Sequence, residues 1–184
     1  MEAKILGLLL HTTPYLGRKK ILKIFTPDGL LTCITASPRI PTDPFCLAEW
    51  VYKKTQTEIY PLLDATLLDS LHHLRENFAT LTAAGSIAQD LLKTQMPHKP
   101  APEIFELATL YLKKLPLNPS TLAASFRLKL LYHEGLLSEE EPTFTPEEQA
   151  QVAILAFSRK LSLIASAASV PQEKIELLFK MRLF

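Results

Sequence analysis

Apolar residues change their spacing once along the chain, near residue 67. Before that point they come in short runs broken by turn residues. Ala3–Thr13, AKILGLLLHTT, is rich in isoleucine and leucine, stops at Pro14 and holds Gly7 in its middle, which predicts a strand bulged at the glycine. Lys19–Thr26, KKILKIFT, predicts a second strand with charged and apolar residues partly segregated by face. Pro27-Asp28-Gly29 predicts a tight turn, because proline presets φ at the first corner and glycine accepts a positive φ further on. Leu30–Ala36 is the third predicted strand. The three prolines of Ser37–Pro44, SPRIPTDP, lack ladder donors and predict a loop. Phe45–Lys53 and Thr57–Thr66 then predict a second hairpin, turning at Lys54-Thr55-Gln56.

From Leu67 the pattern becomes helical. Leu67, Leu68, Leu71, Leu74, Phe78 and Leu81 recur at steps of three and four and predict one buried stripe, in a helix that continues to Lys93 and is stopped by Pro97–Pro102. Glu103–Leu115 is a second predicted helix. Asn118-Pro119 opens a third, with asparagine as N-cap, which runs to about His133 and ends at Gly135. Thr145-Pro-Glu-Glu148 is a capping box that predicts a fourth helix continuing to about Ala168, and Ser169-Val-Pro-Gln begins a last short one ending near Met181. Five strands in so short a stretch are the size of a small closed barrel such as an OB-fold. The predicted class is therefore α+β: an N-terminal OB-fold β-barrel over residues 1–66, followed by an all-α helical domain over residues 67–184.

Charge changes the picture by its distribution. The formal net charge of the 184 residues is +1, which excludes a globally basic protein that coats nucleic acid. Residues 1–60 carry eight Lys/Arg against five Asp/Glu, whereas 138–150 carry five glutamates and no base. Cys33 and Cys46 lie in predicted strands without a CxxC spacing, as buried thiols of a reducing compartment would. The apolar run Ile5–Leu10 is far shorter than the ~20 residues of a membrane span, so the expectation is a cytoplasmic protein with no membrane partner.

No catalytic signature is present: the chain has no GxSxG, P-loop, GxGxxG or HExxH. An enzyme is not expected. His72 and Glu76 would share a helix face, but a metal needs further ligands that the sequence does not offer, and a solvated face is the preferred reading. Ser138-Glu-Glu-Glu141 reads as a solvated connector. The basic cluster Arg18, Lys19, Lys20 and Lys23 stands beside Tyr15 and near Phe25. Cations with aromatic faces on one sheet suit single-stranded nucleic acid, and Arg39, Lys53, Lys54, Trp50 and Tyr52 would extend the track. The competing reading makes Phe25 and Trp50 barrel core and the lysines solubilising strand-edge residues. A second candidate surface is the third helix, where Phe126, Leu130 and Leu131 form an apolar stripe with Arg127 and Lys129 at its margins. That pattern is either internal packing or a groove for a short acidic-hydrophobic peptide.

The order Tyr15…Ile21-Leu22…Phe25-Thr26…Gly29, then Ala36…Pro38-Arg39 and Pro44-Phe45, resembles the N-terminal OB domain of the RecO family of recombination mediators. Phe126-Arg-Leu-Lys-Leu-Leu131…Gly135 is similar to that family's F-x-x-x-L-L-x-x-x-G segment. The resemblance implies a non-enzymatic DNA-repair protein that binds single- and double-stranded DNA and anneals strands. It also implies binding of the acidic tail of single-strand DNA-binding protein, with Phe126, Arg127, Lys129 and Leu130 at that site, and pairing with RecR to load recombinase. The four-cysteine zinc module of many relatives is replaced here by Leu136–Thr145, so no zinc or other cofactor is expected. The usual strongly basic loop after the third strand keeps only Arg39, so DNA contact would rest on Arg18, Lys19, Lys20 and Lys23. The alternative is a protein–protein adaptor whose OB module does not bind DNA.

Overall fold

The computed structural model describes residues 1–138, 141–167 and 171–183. The chain forms two compact units: Met1–His72 with Leu91–Thr109, and His73–Asp90 with Leu110–Phe184.

The first unit is a closed barrel of β1 (Glu2–Tyr15), β2 (Lys19–Thr26), β3 (Gly29–Thr35), β4 (Leu47–Lys53) and β5 (Ile59–Asp69), ordered β1-β2-β3-β5-β4. The β3–β5 pair is parallel and the other pairs are antiparallel. This is the five-stranded order of an OB-fold, and with the helices that follow it the class is α+β. Side chains alternate in and out: Leu22 and Ile24 of β2 are fully buried, while Lys19 is exposed and Ile21 and Lys23 are half-buried on the other face. Trp50 fills the middle of the core among Leu9, Leu22, Ile24, Cys33 and Ala48.

Gly7 is not where β1 bulges. It pairs in register with Ala48, and the register shift falls between Leu9 and His11. Glycine is needed at position 7 for space: a Cβ there would stand 2.5 Å from Ile24 Cγ2 and 3.1 Å from Trp50 Cδ1. That close approach lets the Trp50 indole N–H donate to the Gly7 carbonyl at 2.9 Å, which satisfies the polar atom of a buried ring. The predicted Pro27-Asp28-Gly29 turn is present, with the Thr26 hydroxyl donating to the Gly29 carbonyl at 2.8 Å. Residues 96–101 cross over this turn. Leu30 N–H donates to Met96 O at 3.1 Å and Ala101 N–H to Pro27 O at 2.8 Å.

β5 runs to Asp69 and so takes in Leu67 and Leu68, which were expected in a helix. Both are exposed, as are Phe78 and Leu81; of the predicted stripe only Leu71 and Leu74 are buried. The interruption is local chemistry. Asp69 accepts the Leu71 amide at 2.8 Å, Leu71 sits at φ 44°, and a 3₁₀ turn occupies His72–Arg75. Helix α1 (Phe78–Thr94) then begins, with the Asn77 carboxamide accepting the Ala79 amide at 2.8 Å. His72 and Glu76 therefore do not share a helix face.

The chain continues through α2 (Pro102–Lys114), α3 (Pro119–His133), α4 (Pro146–Phe157), α5 (Leu161–Ala165) and α6 (Gln172–Leu183). In the second unit α3 is the central element, buried from Thr121 to Phe126 and again at Leu128, Leu130 and Leu131. A helix apolar on nearly all sides is one surrounded by others, and α3 packs against α4, α5 and α6. Its N-cap is Asn118 and Gly135, at φ 71°, ends it, as expected. The Thr145–Glu148 capping box forms with both of its hydrogen bonds. The fourth helix stops eleven residues before the predicted Ala168, which lies, with Ser169 and Val170, outside the described residues. Ser158 and Lys160 are extended there, and the Lys129 ammonium donates to Ala156 O at 3.0 Å and Ser158 O at 2.8 Å. A cation on the last carbonyls of a helix satisfies groups that the helix itself leaves open.

The acidic run is only partly a solvated connector. Glu141 is buried, receives Arg182 at 3.2 Å on both carboxylate oxygens, and accepts from the Ser138 and Thr143 hydroxyls. Glu139 and Glu140 lie outside the described residues.

Lys174 meets Glu148 at 2.7 Å. Its ammonium, and then the Thr145 amide, hold the Glu148 carboxyl below the ordinary glutamate value. A carboxyl whose folded-state value is depressed adds stability above its unfolded value, and that stability is lost as pH falls through the folded value. Wild type is expected to exceed Glu148→Gln in stability by a constant margin from neutral pH down to about 5, and the margin to shrink below about 4.3, the unfolded value. Denaturant titrations across that range check it; a margin that grows on acidification would contradict the sign.

Candidate nucleic-acid interface

The hairpin that carries the basic cluster joins Tyr15 to Lys19 through a turn at Leu16–Arg18, where Gly17 takes φ 67°. Strand alternation divides the four cations. Lys19 and Lys23 stand on the outer face of β2 with Ile21 between them, opposite Tyr15 and His11 of β1. Lys20 has the opposite parity, but it lies beyond the core and reaches the end of the barrel, where Arg18 joins it. Among the described residues the Arg18 and Lys19 side chains make no hydrogen bond or ion pair. Lys23 donates to the Thr32 hydroxyl of β3 at 2.9 Å, and Lys20 to the Thr42 hydroxyl at 2.7 Å.

The outer face of β1, β2, β3 and β5 holds a concavity of about 510 Å³ lined by Tyr15, Ile21, Ile34, Thr57, Glu58 and Ile59. Tyr15 is 45% exposed and Ile59 41%, so ring and aliphatic surface are open beside the free ammonium of Lys19. The β4–β5 loop supplies Thr57 and Glu58, and the β1–β2 turn bounds the same face. Strands 2 and 3 flanked by these two loops are the surface on which OB-folds take oligonucleotides.

A second cleft, about 340 Å³, opens at the end of the barrel and is lined by Arg18, Lys20, Thr35, Ala36, Ser37, Pro38, Ile40 and Thr42. Arg39 is exposed between two of these lining residues. Lys53 and Lys54 do not join either group. Lys53 pairs with Glu2 at the opposite end of the fourteen-residue β1 from Tyr15, and Lys54 borders a smaller cleft beside Asp28, Tyr60 and His98. Trp50 and Phe25 are fully buried and offer no face to a base; Tyr52 is buried as well. The open aromatic is Tyr15. Ile21, Ile34 and Ile59 are not among the contact residues expected from the sequence, although the Lys19-Ile21-Lys23 alternation places Ile21 away from the core.

Phe126 and Leu130 of α3 are fully buried and present no surface to a peptide. Arg127 donates to Asp90 at 2.7 Å and to the Ser86 hydroxyl, with the Phe179 ring 5.6 Å away. Lys129 closes α4, and burial followed by the charge of Arg159 pulls its ammonium below the ordinary lysine value. The stripe with basic margins is thus internal packing in this structure. Burial pushes the Cys33 thiol up to about 12, so it stays protonated at neutral pH. Among the described residues no three His, Cys, Asp or Glu side chains gather as a metal site, and no helix is long and apolar enough to cross a membrane.

No protein-family model matches the chain. In an alignment of 146 positions that covers 74% of this chain, it is 28% identical to the DNA repair protein RecO of Chlamydia pneumoniae and to that of Chlamydia muridarum, and 27% identical to that of Chlamydia trachomatis serovar L2. The matched stretch spans 58%, 62% and 60% of those relatives' lengths, in that order.

Proposed function

We propose that this relative of RecO is a non-catalytic mediator of DNA repair and recombination that works in the cytoplasm and holds single-stranded DNA on its barrel. The observation that carries the reading is the unpartnered Lys19 beside the open ring of Tyr15, on the face of β2 and β3. Phosphates would follow Lys19 and Lys23, and a base would stack on Tyr15 over Ile21 and Ile34. Double-stranded DNA would use the same cations without the stacking. The proposed protein partners are RecR and single-strand DNA-binding protein.

The test is anisotropy of a labelled single strand of ~40 nucleotides across a salt series, where each phosphate contacted adds about 0.7 to the slope of log K against log salt. Lys19→Glu/Lys23→Glu is expected to weaken binding at least tenfold and to reduce that slope by about 1.4, two contacts at about 0.7 each. Binding that is unchanged in this variant would place the DNA elsewhere.

The apolar lining of the outer concavity, with Glu58 on its rim, favours a second reading, a protein–protein adaptor whose barrel takes a partner chain. Absence of DNA binding even at low salt would select it.

A further inference from the structure

The cleft at the end of the barrel has a different character from the outer face. Thr35 and Ile40 of its lining are buried while Arg18, Lys20, Ala36 and Pro38 are exposed, so the cleft has a buried base and a solvent-facing rim. Arg18 and Lys20 come from the β1–β2 hairpin, and Ser37 and Thr42 bring hydroxyls from the loop between β3 and β4. No carboxylate lines it. The Lys20 ammonium is held over the cleft by Thr42, whose own carbonyl is tied to β1 through the Thr12 hydroxyl at 2.7 Å. Ser37 accepts the Arg39 amide at 3.3 Å, which leaves its hydroxyl proton available to a ligand. Arg18 meets no counter-charge among the described residues.

Two cations and a set of hydroxyls in a cleft with a buried base define the ligand. A phosphodiester carries one charge and needs chain to leave on both sides. A phosphomonoester carries about two charges near neutral pH and continues on one side only. Guanidinium and ammonium together match the latter in charge, and the Arg18 fork can hold two of its oxygens. We propose that this cleft binds a phosphomonoester dianion, presented either by the phosphorylated end of a DNA strand or by free phosphate. For the strand end the inference rests on the DNA-binding reading above, and it adds a preference for termini to it.

The experiment compares the full chain with single strands of one length and sequence that end in 5′-phosphate, 3′-phosphate or hydroxyls only, with inorganic phosphate as competitor. A phosphorylated end is expected to bind about tenfold more tightly than a hydroxyl end, the effect of one added charge-assisted pair of about 1.4 kcal/mol. Millimolar phosphate should erase the advantage. Arg18→Met and Lys20→Met should also remove it, whereas Lys19→Met and Lys23→Met should weaken every strand alike and leave the ratio intact. Equal affinity for all three ends, with no effect of inorganic phosphate, overturns the proposal while leaving salt-dependent DNA binding untouched. The reverse result, phosphate raising the melting temperature of wild type but not of Arg18→Met while no strand binds, supports the cleft as a free-phosphate site and counts against the DNA reading.

Discussion

Phe126→Ala is expected to lower the stability of the helical unit by about 3–5 kcal/mol, the range for deleting a fully buried phenylalanine. The side chain has no exposed surface, and its ring meets Tyr111 at 5.7 Å in a tilted contact. The neighbours cannot close over the gap freely. The Tyr111 hydroxyl is fixed by Ser125 at 2.8 Å, and Ser125 in turn donates to the Leu155 carbonyl at 2.6 Å. Burial has pushed the Tyr111 hydroxyl up to about 12, a mark of how little water reaches this layer. The cavity would therefore stay open, and a cavity lined by fixed groups costs more than one that collapses. Guanidinium unfolding followed by circular dichroism measures the loss. A variant as stable as wild type that failed only to bind a peptide would instead make Phe126 part of a docking groove.

Gly29→Ala is expected to cost the barrel unit about 2–6 kcal/mol, from backbone strain and forced displacement together. Gly29 sits at φ 102°, a conformation that residues with a side chain rarely adopt. A Cβ there would also stand 2.5 Å from Met96 O and 2.7 Å from Lys99 O, both backbone atoms with no flexible end to yield. The crossing segment would have to lift, and the Leu30–Met96 and Ala101–Pro27 hydrogen bonds would be lost with it. Hydrogen exchange reads this directly, because the amides of Leu30 and Ala101 should lose protection first. A substitution that left both amides protected and the melting temperature unchanged would refute the steric argument.

The position of Gly29 was legible as a turn glycine, but its neighbours were not. A Pro-Asp-Gly run reports the φ angle that the turn demands, and nothing in it reports that residues 96–101 will be laid across it. The same division holds at Gly7, which a strand pattern marks as a bulge and the packing of Trp50 explains as a close approach. In the candidate site, the cluster Arg18 to Lys23 and the ring of Tyr15 were legible as cations beside an aromatic. Their partition was not, because strand parity sends Lys19 and Lys23 one way and the end of the barrel collects Arg18 and Lys20 with a loop some twenty residues away. Lys53 and Lys54 looked continuous with them only while the register of β1 was unknown.

What the sequence by itself determined is whatever short-range chemistry encodes. The strands followed from short apolar runs between turn residues, the Asn118 and Thr145 caps from side chains that reach their own helix ends, and the ends at Thr26–Gly29 and Gly135 from residues that tolerate positive φ. The tertiary structure decided what depends on a partner far along the chain. Leu67 and Leu68 joined β5 because β4 offered a ladder, and a period of three and four could not register that. The fourth helix ended at Phe157 with Lys129 of α3 donating to the carbonyls of Ala156 and Ser158 at its end. Phe126 and Arg127 became packing rather than surface because α3 is enclosed on nearly every side, and amphipathic spacing has no way to mark a helix whose every face is covered.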